Sequence, residues 1–292
     1  MPRLPKFDYF EPKTVEEACS LLDQHREKAK LVAGGTDLLV RMKQRTMMPQ
    51  CLINLKRIPN LDYVHYDGRE GMRIGSLTRL RDIETSPVIQ KSFPILADAT
   101  SMVSSIQVQN MATVGGNLCN ASPAADTAPP LIGLGARVRI ISVSSERYLP
   151  LEDFFVAPGK TALKSNEICT EIHIPNLPPR TGGAYLKLSA RNKDIAIVNV
   201  AVIVTLDLKD GSCSDVKVVL GAVGPTVIRA RKAENILKGN GLGHDLIERA
   251  SALASGEVHP ISDVRGSAEY RIQMVKVLTK RTVEKALKLA GA

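Results

Sequence analysis

The first part of the chain alternates short apolar runs, which are typical of buried strands, with amphipathic segments, which are typical of helices. Thr14 and Glu17 form a capping-box pattern, in which each side chain accepts a hydrogen bond from the other residue's backbone N–H, and this predicts a helix start. The order of elements predicts a small βαβ lobe over residues 1–57. Its strands are expected at 7–10, 31–33 and 51–55, and its helices at 14–25 and from near Leu38.

The pattern over residues 58–177 predicts a second lobe with short helices and further strands. Asp67-Gly68, between alternating segments at 63–66 and 72–75, is typical of a β-hairpin. More strands are expected at 137–143 and 168–175, and helices at 78–85, 94–100 and 131–134. The sequence P-P-R-T-G-G at 178–183 combines breakers with polar residues and predicts a linker.

Beyond the linker, residues 183–292 are expected to form a smaller C-terminal domain. Long apolar runs at 184–190, 196–208 and 213–223 predict strands of an antiparallel sheet, and Asp210-Gly211 predicts the turn between the last two. Helices are expected near 230–238, 244–254 and 268–289. Strands followed by helices are typical of α+β packing, so the predicted fold class is α+β.

Gly34-Gly35 is a candidate anion-binding turn. It follows a predicted buried strand, and Thr36 or Asp37 after it can cap a helix that starts near Leu38. This arrangement favours a phosphate group, because free N–H groups and the helix dipole both attract negative charge. The segment matches neither the G-x-G-x-x-G fingerprint nor the P-loop, so it indicates neither of those sites.

A second glycine pair lies in the stretch 112–130, A-T-V-G-G-N-L-C-N-A-S-P-A-A-D-T-A-P-P, whose only charge is Asp126. Thr113, Gly115-Gly116 and Asn117 can turn the backbone sharply and leave peptide N–H groups uncovered for an anion. Taken alone, this stretch fits a tight turn between core elements equally well. Two glycine turns on different elements together indicate a ligand with two phosphate groups.

Several of these pieces resemble one known family. A-G-G-T-D-L-L at 33–39, T-V-G-G-N at 113–117 and A-S-P-A-A-D at 121–126 are similar to the FAD-binding medium subunit of the molybdenum hydroxylases. Y-L-K-L at 185–188, G-A-V-G-P-T at 221–226 and R-G-S-A-E-Y-R at 265–271 also match, so the resemblance covers nearly the whole chain. It implies a two-lobed FAD-binding domain over 1–177, with lobes 1–57 and 58–177, and a C-terminal flavoprotein domain over 183–292.

The resemblance also implies which residues bind FAD. Asp126 would accept hydrogen bonds from FAD hydroxyl groups, or else cap the following helix. Lys187 would lie close to the flavin and stabilise its reduced anionic form, and Tyr185 would shield a flavin face or pack in the core. The diphosphate and ribityl chain would lie between two cradles, formed by Ala33, Gly34, Gly35, Thr36, Asp37, Leu38 and Leu39, and by Thr113, Val114, Gly115, Gly116 and Asn117. Ile168 and Cys169 match a backbone position near the flavin ring.

The implied function is an FAD-carrying electron-transfer subunit. Its partners would be a large molybdopterin subunit and a small subunit with two-iron two-sulfur clusters, and its acceptor NAD+, a quinone or oxygen. No catalytic residue is assigned, because the flavin itself carries the redox chemistry. The alternative is a free-standing FAD-dependent oxidoreductase that acts directly on NAD(P)H or a small alcohol. Nothing in the sequence resembles covalent flavin attachment.

Composition narrows the remaining classes of function. The five cysteines are scattered without C-x-x-C or zinc spacing, so we expect no metal in this chain. The formal net charge of +9 is spread along the chain, which indicates a solvated basic surface or acidic partner subunits and no nucleic acid. No apolar run has the length of a membrane span, and the N-terminus lacks the apolar core of a secretory signal, so we expect a cytoplasmic protein.

Overall fold

The first lobe is a three-stranded parallel sheet in the order β1-β3-β2 with two helices, as the pattern predicts. The computed structural model describes residues 3–291; Met1, Pro2 and Ala292, at the ends of the two predicted domains, lie outside the described residues. The elements of this lobe are β1 (Asp8–Phe10), α1 (Val15–His25), β2 (Ala29–Val32), α2 (Leu38–Lys43) and β3 (Cys51–Asn54).

The start of helix α1 follows half of the predicted capping box. The Thr14 hydroxyl accepts a hydrogen bond from the Glu17 N–H at 3.1 Å. The Glu17 carboxylate accepts from the Lys13 N–H at 2.7 Å, one residue earlier than the box requires. Both bonds satisfy N–H groups at the helix start and fix its position.

The second lobe is a five-stranded antiparallel sheet in the order β4-β5-β10-β6-β7, covered by short helices. Helices α4, α6 and α7 were not predicted; α4 is a short segment that begins at Pro87, where the fixed φ of proline favours the first helical position. The elements are β4 (Val64–Asp67), β5 (Gly71–Gly75), α3 (Leu80–Thr85), α4 (Pro87–Ser92), α5 (Pro94–Ser101), α6 (Ile106–Gln109), α7 (Val114–Cys119), α8 (Ala128–Gly133), β6 (Arg137–Ile141), β7 (Glu146–Pro150), β8 (Phe155–Ala157), β9 (Lys160–Thr161) and β10 (Ile168–Ile174).

The C-terminal domain is a four-stranded antiparallel sheet in the order β11-β12-β13-β14, followed by helices. This confirms the α+β fold class. The first strand begins at Thr181, before the predicted 184, because Gly182 lets it approach the last helix: a Cβ at Gly182 would lie 2.2 Å from the Ala286 carbonyl oxygen. The elements are β11 (Thr181–Leu188), β12 (Val198–Leu206), β13 (Cys213–Gly221), β14 (Ile228–Arg229), α9 (Arg231–Leu237), α10 (His244–Ser255) and α11 (Ala268–Leu289).

One apolar core joins the second lobe to the C-terminal sheet. Buried residues of helix α5 and the sheet of the second lobe, such as Leu96 and Ile174, belong to the same cluster as Ile203 on β12 and Val219 on β13. The helices of the C-terminal domain cover a separate cluster on the same sheet. Because the cluster that contains Ile203 and Val219 also contains residues of the second lobe, one face of the C-terminal sheet packs against that lobe. No helix in the stretch 3–291 is both long enough and apolar enough to cross a membrane.

Candidate functional site

A cavity of about 640 Å³ lies between the two lobes of the first domain. The first lobe contributes the turn after strand β2 and helix α2, and the second lobe contributes the start of helix α7 and the segment that leads into strand β10. Cavities of this size are typical of small-molecule and cofactor sites.

The turn at 34–38 carries the most distinctive feature of the cavity wall. The backbone N–H groups of Gly34, Gly35, Thr36, Asp37 and Leu38 have no hydrogen-bond partner among the residues that the structure describes. Asp37 is exposed and Leu38 is the first residue of a helix, where a free N–H is normal. Gly34, Gly35 and Thr36 are half-buried, and half-buried N–H groups normally find a partner, so the free donors of this turn indicate a ligand rich in acceptors. Phosphate oxygens are such acceptors.

Helix α2 starts at Leu38, as predicted, but no side chain caps it. The prediction that Thr36 or Asp37 supplies a cap was wrong. The Asp37 carboxylate instead accepts a hydrogen bond from the Asn120 amide at 3.2 Å, which links the first lobe to the second across the cavity.

The second glycine pair is arranged differently from the expectation. Residues 114–119 form helix α7, capped by the Thr113 hydroxyl, which accepts from the Gly116 N–H at 3.1 Å. The N–H groups of Val114 and Gly115 donate to the carbonyls of Thr78 and Ser76, at 3.0 and 2.9 Å. The expectation that this segment leaves its N–H groups uncovered was therefore wrong, because residues remote in the sequence accept these bonds.

Two of the four glycines serve the contact between segments of the protein itself. A Cβ at Gly34 would lie 2.2 Å from the Met111 carbonyl oxygen, and a Cβ at Gly115 would lie 2.6 Å from the Ser76 Cβ. A side chain at Gly34 would push the two lobes apart. A side chain at Gly115 would push the segment at Ser76 away from helix α7. Close packing within the protein is therefore a reason for glycine at Gly34 and Gly115 that the sequence did not predict, and the predicted approach to phosphate stays a prediction.

Most of the predicted site residues lie on the cavity wall. Leu39, Val114, Asp126, Tyr185 and Lys187 do not line it, and Val114 is fully buried in the core. The residues that do line it are Ala33, Gly34, Gly35, Thr36, Asp37, Leu38, Thr113, Gly115, Gly116, Asn117, Ile168 and Cys169.

Asp126, Tyr185 and Lys187 form a separate buried cluster where the two domains meet. The Asp126 carboxylate accepts hydrogen bonds from the Tyr185 hydroxyl at 2.6 Å and from the Lys187 ammonium at 2.8 Å. The alternative that Asp126 caps helix α8 was wrong, since the residue at that position is Thr127. Burial raises the pKa of Asp126, and the two donors oppose this increase.

Sequence reasoning missed a set of basic residues on the cavity wall. Arg41 was detectable in principle, because it lies one helical turn after Leu38 and therefore on the same face of α2. The others follow no motif and are brought to the cavity by tertiary structure. The basic residues of the wall are Lys30, Arg41, Lys160 and Lys164.

The thiols on the cavity wall have no evident chemistry. A hydrogen bond with the Cys119 thiol, together with burial, raises the pKa of Cys169. A thiol with a raised pKa is protonated at neutral pH and is a poor nucleophile. All five cysteines are free.

A cavity of this size, with free peptide donors and basic side chains on its wall, is typical of a protein that binds a cofactor carrying phosphate groups. The family model described as "FAD binding domain in molybdopterin dehydrogenase" matches residues 5–177, and that described as "CO dehydrogenase flavoprotein C-terminal domain" matches residues 183–286. The chain belongs to this family, the FAD-binding subunits of the molybdenum hydroxylases. It is an oxidoreductase subunit, and its cofactor is FAD.

Individual relatives match over nearly their whole length. The chain is 36% identical to the 6-hydroxypseudooxynicotine dehydrogenase complex subunit alpha of Paenarthrobacter nicotinovorans, over 97% of this chain and 95% of that one. It is 33% identical to the carbon monoxide dehydrogenase medium chain of Hydrogenophaga pseudoflava, over 97% of each. A solved carbon monoxide dehydrogenase structure from H. pseudoflava superposes with a TM-score of 0.94 at 34% identity, over 98% of this chain and 99% of that chain.

Proposed function

We propose that the chain is the electron-transfer subunit of a molybdenum-containing hydroxylase or dehydrogenase complex. Electrons reach its FAD from the two-iron two-sulfur clusters of a small subunit, which receives them from a large molybdopterin subunit. They leave for NAD+, a quinone or another acceptor. The names of the relatives, which are a medium chain and a complex subunit, support an assembly with other subunits.

The observation that carries the proposal is the run of free N–H groups at Gly34 to Leu38 on the cavity wall. These N–H groups would donate to phosphate oxygens of FAD, so the turn would hold the diphosphate. Thr113, Gly116 and Asn117 form the opposite wall, and the Asp37–Asn120 hydrogen bond keeps the two walls together. The cavity also binds the cofactor along Ile168 and Cys169. FAD, once bound, supplies the redox chemistry, and the chain binds and orients it.

Asp126, Tyr185 and Lys187, which do not line the cavity, lie at the junction of the two domains. Lys187 is held by the Asp126 carboxylate and by the Met102 carbonyl oxygen, at 2.8 and 3.0 Å. These partners fix a positive charge beside Tyr185. The ammonium charge of Lys187 is paired with Asp126 and its side chain does not line the cavity, so the family resemblance alone supports its assignment to the reduced flavin. We assign residues 1–177 to the FAD-binding domain and residues 183–292 to the C-terminal flavoprotein domain.

The first test uses the purified full chain. We expect its absorption spectrum to show bound flavin, or to gain it when FAD is added to the flavin-free chain. A folded chain that binds no FAD, alone or when produced with its neighbouring subunits, would overturn the proposal.

The second test separates the complex from the free-standing alternative. A tagged chain is purified with its neighbouring subunits, and reduction of the flavin by candidate organic substrates is followed by absorbance. We expect reduction by substrate only when the other subunits are present. Rapid oxidation of a small alcohol by the isolated chain would favour the free-standing oxidoreductase.

A further inference from the structure

We propose that Arg41 binds the diphosphate of FAD through its guanidinium group and makes the cavity selective for a phosphate-bearing ligand. This inference rests on the proposed function, since it names a further residue of the same site. Arg41 lies outside both sequence segments that the family resemblance assigns to the diphosphate.

The first step of the argument is the surplus of positive charge on the cavity wall. Lys30 and Arg41 come from the first lobe, and Lys160 and Lys164 from the second. None of these side chains forms an ion pair within residues 3–291. Like charges on one cavity wall repel one another, so an anionic ligand stabilises the arrangement.

The second step is that no carboxylate of the wall forms an ion pair with these cations among the described residues; only Lys164 lies close enough to Glu167 for its charge to help lower the pKa of that carboxyl. Glu167 is paired with Arg147 at 2.8 Å, and Arg147 does not line the cavity. Asp37, four residues before Arg41, accepts from the Asn120 amide and forms no ion pair with Arg41 in the part of the chain described here. Glu27 is the other carboxylate of the wall, and it is exposed.

The third step selects Arg41 among the cations. It is half-buried and lies on α2, the element that directly follows the free N–H groups of 34–38. Its planar guanidinium can donate two parallel hydrogen bonds to a phosphate, which a lysine cannot do. The peptide donors and the guanidinium therefore serve the same charged part of the ligand.

The experiment measures FAD affinity of the flavin-free full chain by fluorescence quenching, at about 20 mM and about 500 mM NaCl. The variants are Arg41→Gln, Arg41→Lys and the control Lys43→Gln, which removes an exposed charge from the same helix outside the cavity. We expect Arg41→Gln to weaken FAD binding by roughly 10- to 100-fold at low salt and by much less at high salt. Arg41→Lys should recover part of the loss, and Lys43→Gln should bind like the wild type.

The outcomes separate this inference from the proposed function. If the wild type binds FAD and Arg41→Gln binds it equally well at low salt, Arg41 has no role in binding. A loss that is the same at both salt concentrations indicates a structural effect and also overturns the inference. If the wild type itself binds no FAD, the result contradicts the proposed function, and the inference about Arg41 falls with it. Circular dichroism and thermal unfolding establish that each variant is folded.

Discussion

The Lys187 ammonium lies 2.8 Å from the Asp126 carboxylate, and both side chains are almost completely buried. Lys187 is on β11 of the C-terminal sheet, and Asp126 precedes helix α8 of the first domain. The pair therefore joins the two domains at one charged contact. A buried ion pair adds little when intact, but removing one partner leaves an uncompensated charge in the interior.

The substitution Lys187→Met is therefore expected to lower the free energy of unfolding by about 3 kcal/mol or more at pH 7. Methionine keeps much of the side-chain volume, so the loss reports the missing charge. Urea unfolding measures it, with the exposed Lys209→Met as the control. Adding Asp126→Asn to Lys187→Met should cost less than the sum of the two single changes. Strictly additive effects would show that the two side chains are not coupled.

A second prediction concerns pH and Glu167. Burial opposes ionisation of Glu167, but hydrogen bonds from Arg147 and from the Lys164 N–H outweigh burial and lower its pKa below the ordinary value of a glutamate. A carboxyl group whose pKa is lower in the folded chain stabilises the fold above its unfolded pKa, and the stabilisation is lost as the pH falls through its folded pKa.

Glu167→Gln should accordingly lower the free energy of unfolding by about 2 kcal/mol at pH 7, and the difference from the wild type should shrink steadily below pH 4.5. Urea unfolding at several pH values measures it. The same change at Glu146, whose pair with Arg139 is more exposed, should have a much smaller effect. A Glu167→Gln difference that is constant from pH 7 to pH 4 would contradict the assigned cause.

The sequence predicted those parts of the fold that depend on local pattern. The Thr14 cap, the hairpin at Asp67-Gly68 and the strands of the C-terminal sheet all follow from capping, turn chemistry or apolar runs. Helix α7 could not be predicted from local pattern, because Val-Gly-Gly-Asn has low helix propensity. Tertiary hydrogen bonds to Ser76 and Thr78 hold this segment in place.

The candidate site likewise has a part that the sequence predicted and a part that it did not. The turn at Gly34-Gly35 carries its own signal, and the structure adds that its N–H groups are free. Apart from Arg41, the basic residues of the wall could not be predicted from the sequence, because Lys160 and Lys164 lie in a segment without a motif and share a cavity with Arg41 only when the lobes pack together. The contact of Asp126 with Lys187 likewise depends on the domain junction.

A third prediction tests the turn at Gly35, whose φ of +76° favours glycine. Gly35→Ala is expected to cost about 1 kcal/mol of stability and to weaken FAD binding by about tenfold or more, because the free N–H groups of the turn move. Gly211→Ala is the matched control: its φ is +73°, but it lies in the turn between β12 and β13. Thermal unfolding and FAD titration should show similar destabilisation and a binding loss only for Gly35→Ala. Equal FAD affinity in both variants would remove the turn from the site.

A fourth prediction uses the cysteines to report on the cavity. Burial raises the pKa of Cys19 and of Cys213 to about 11, so at pH 8 each is on the order of 0.1% thiolate and reacts slowly with a disulfide reagent. Cys119 is half-buried and lines the cavity, whereas the other four cysteines are buried.

The flavin-free folded chain should therefore show one faster-reacting thiol when titrated with 5,5′-dithiobis(2-nitrobenzoate). Cys119→Ser should abolish that phase. FAD should slow it, because the proposed site includes the wall on which Cys119 lies. A reaction rate at Cys119 that FAD leaves unchanged would place the bound cofactor away from α7, and the wall formed by Thr113, Gly116 and Asn117 would lose its assigned role.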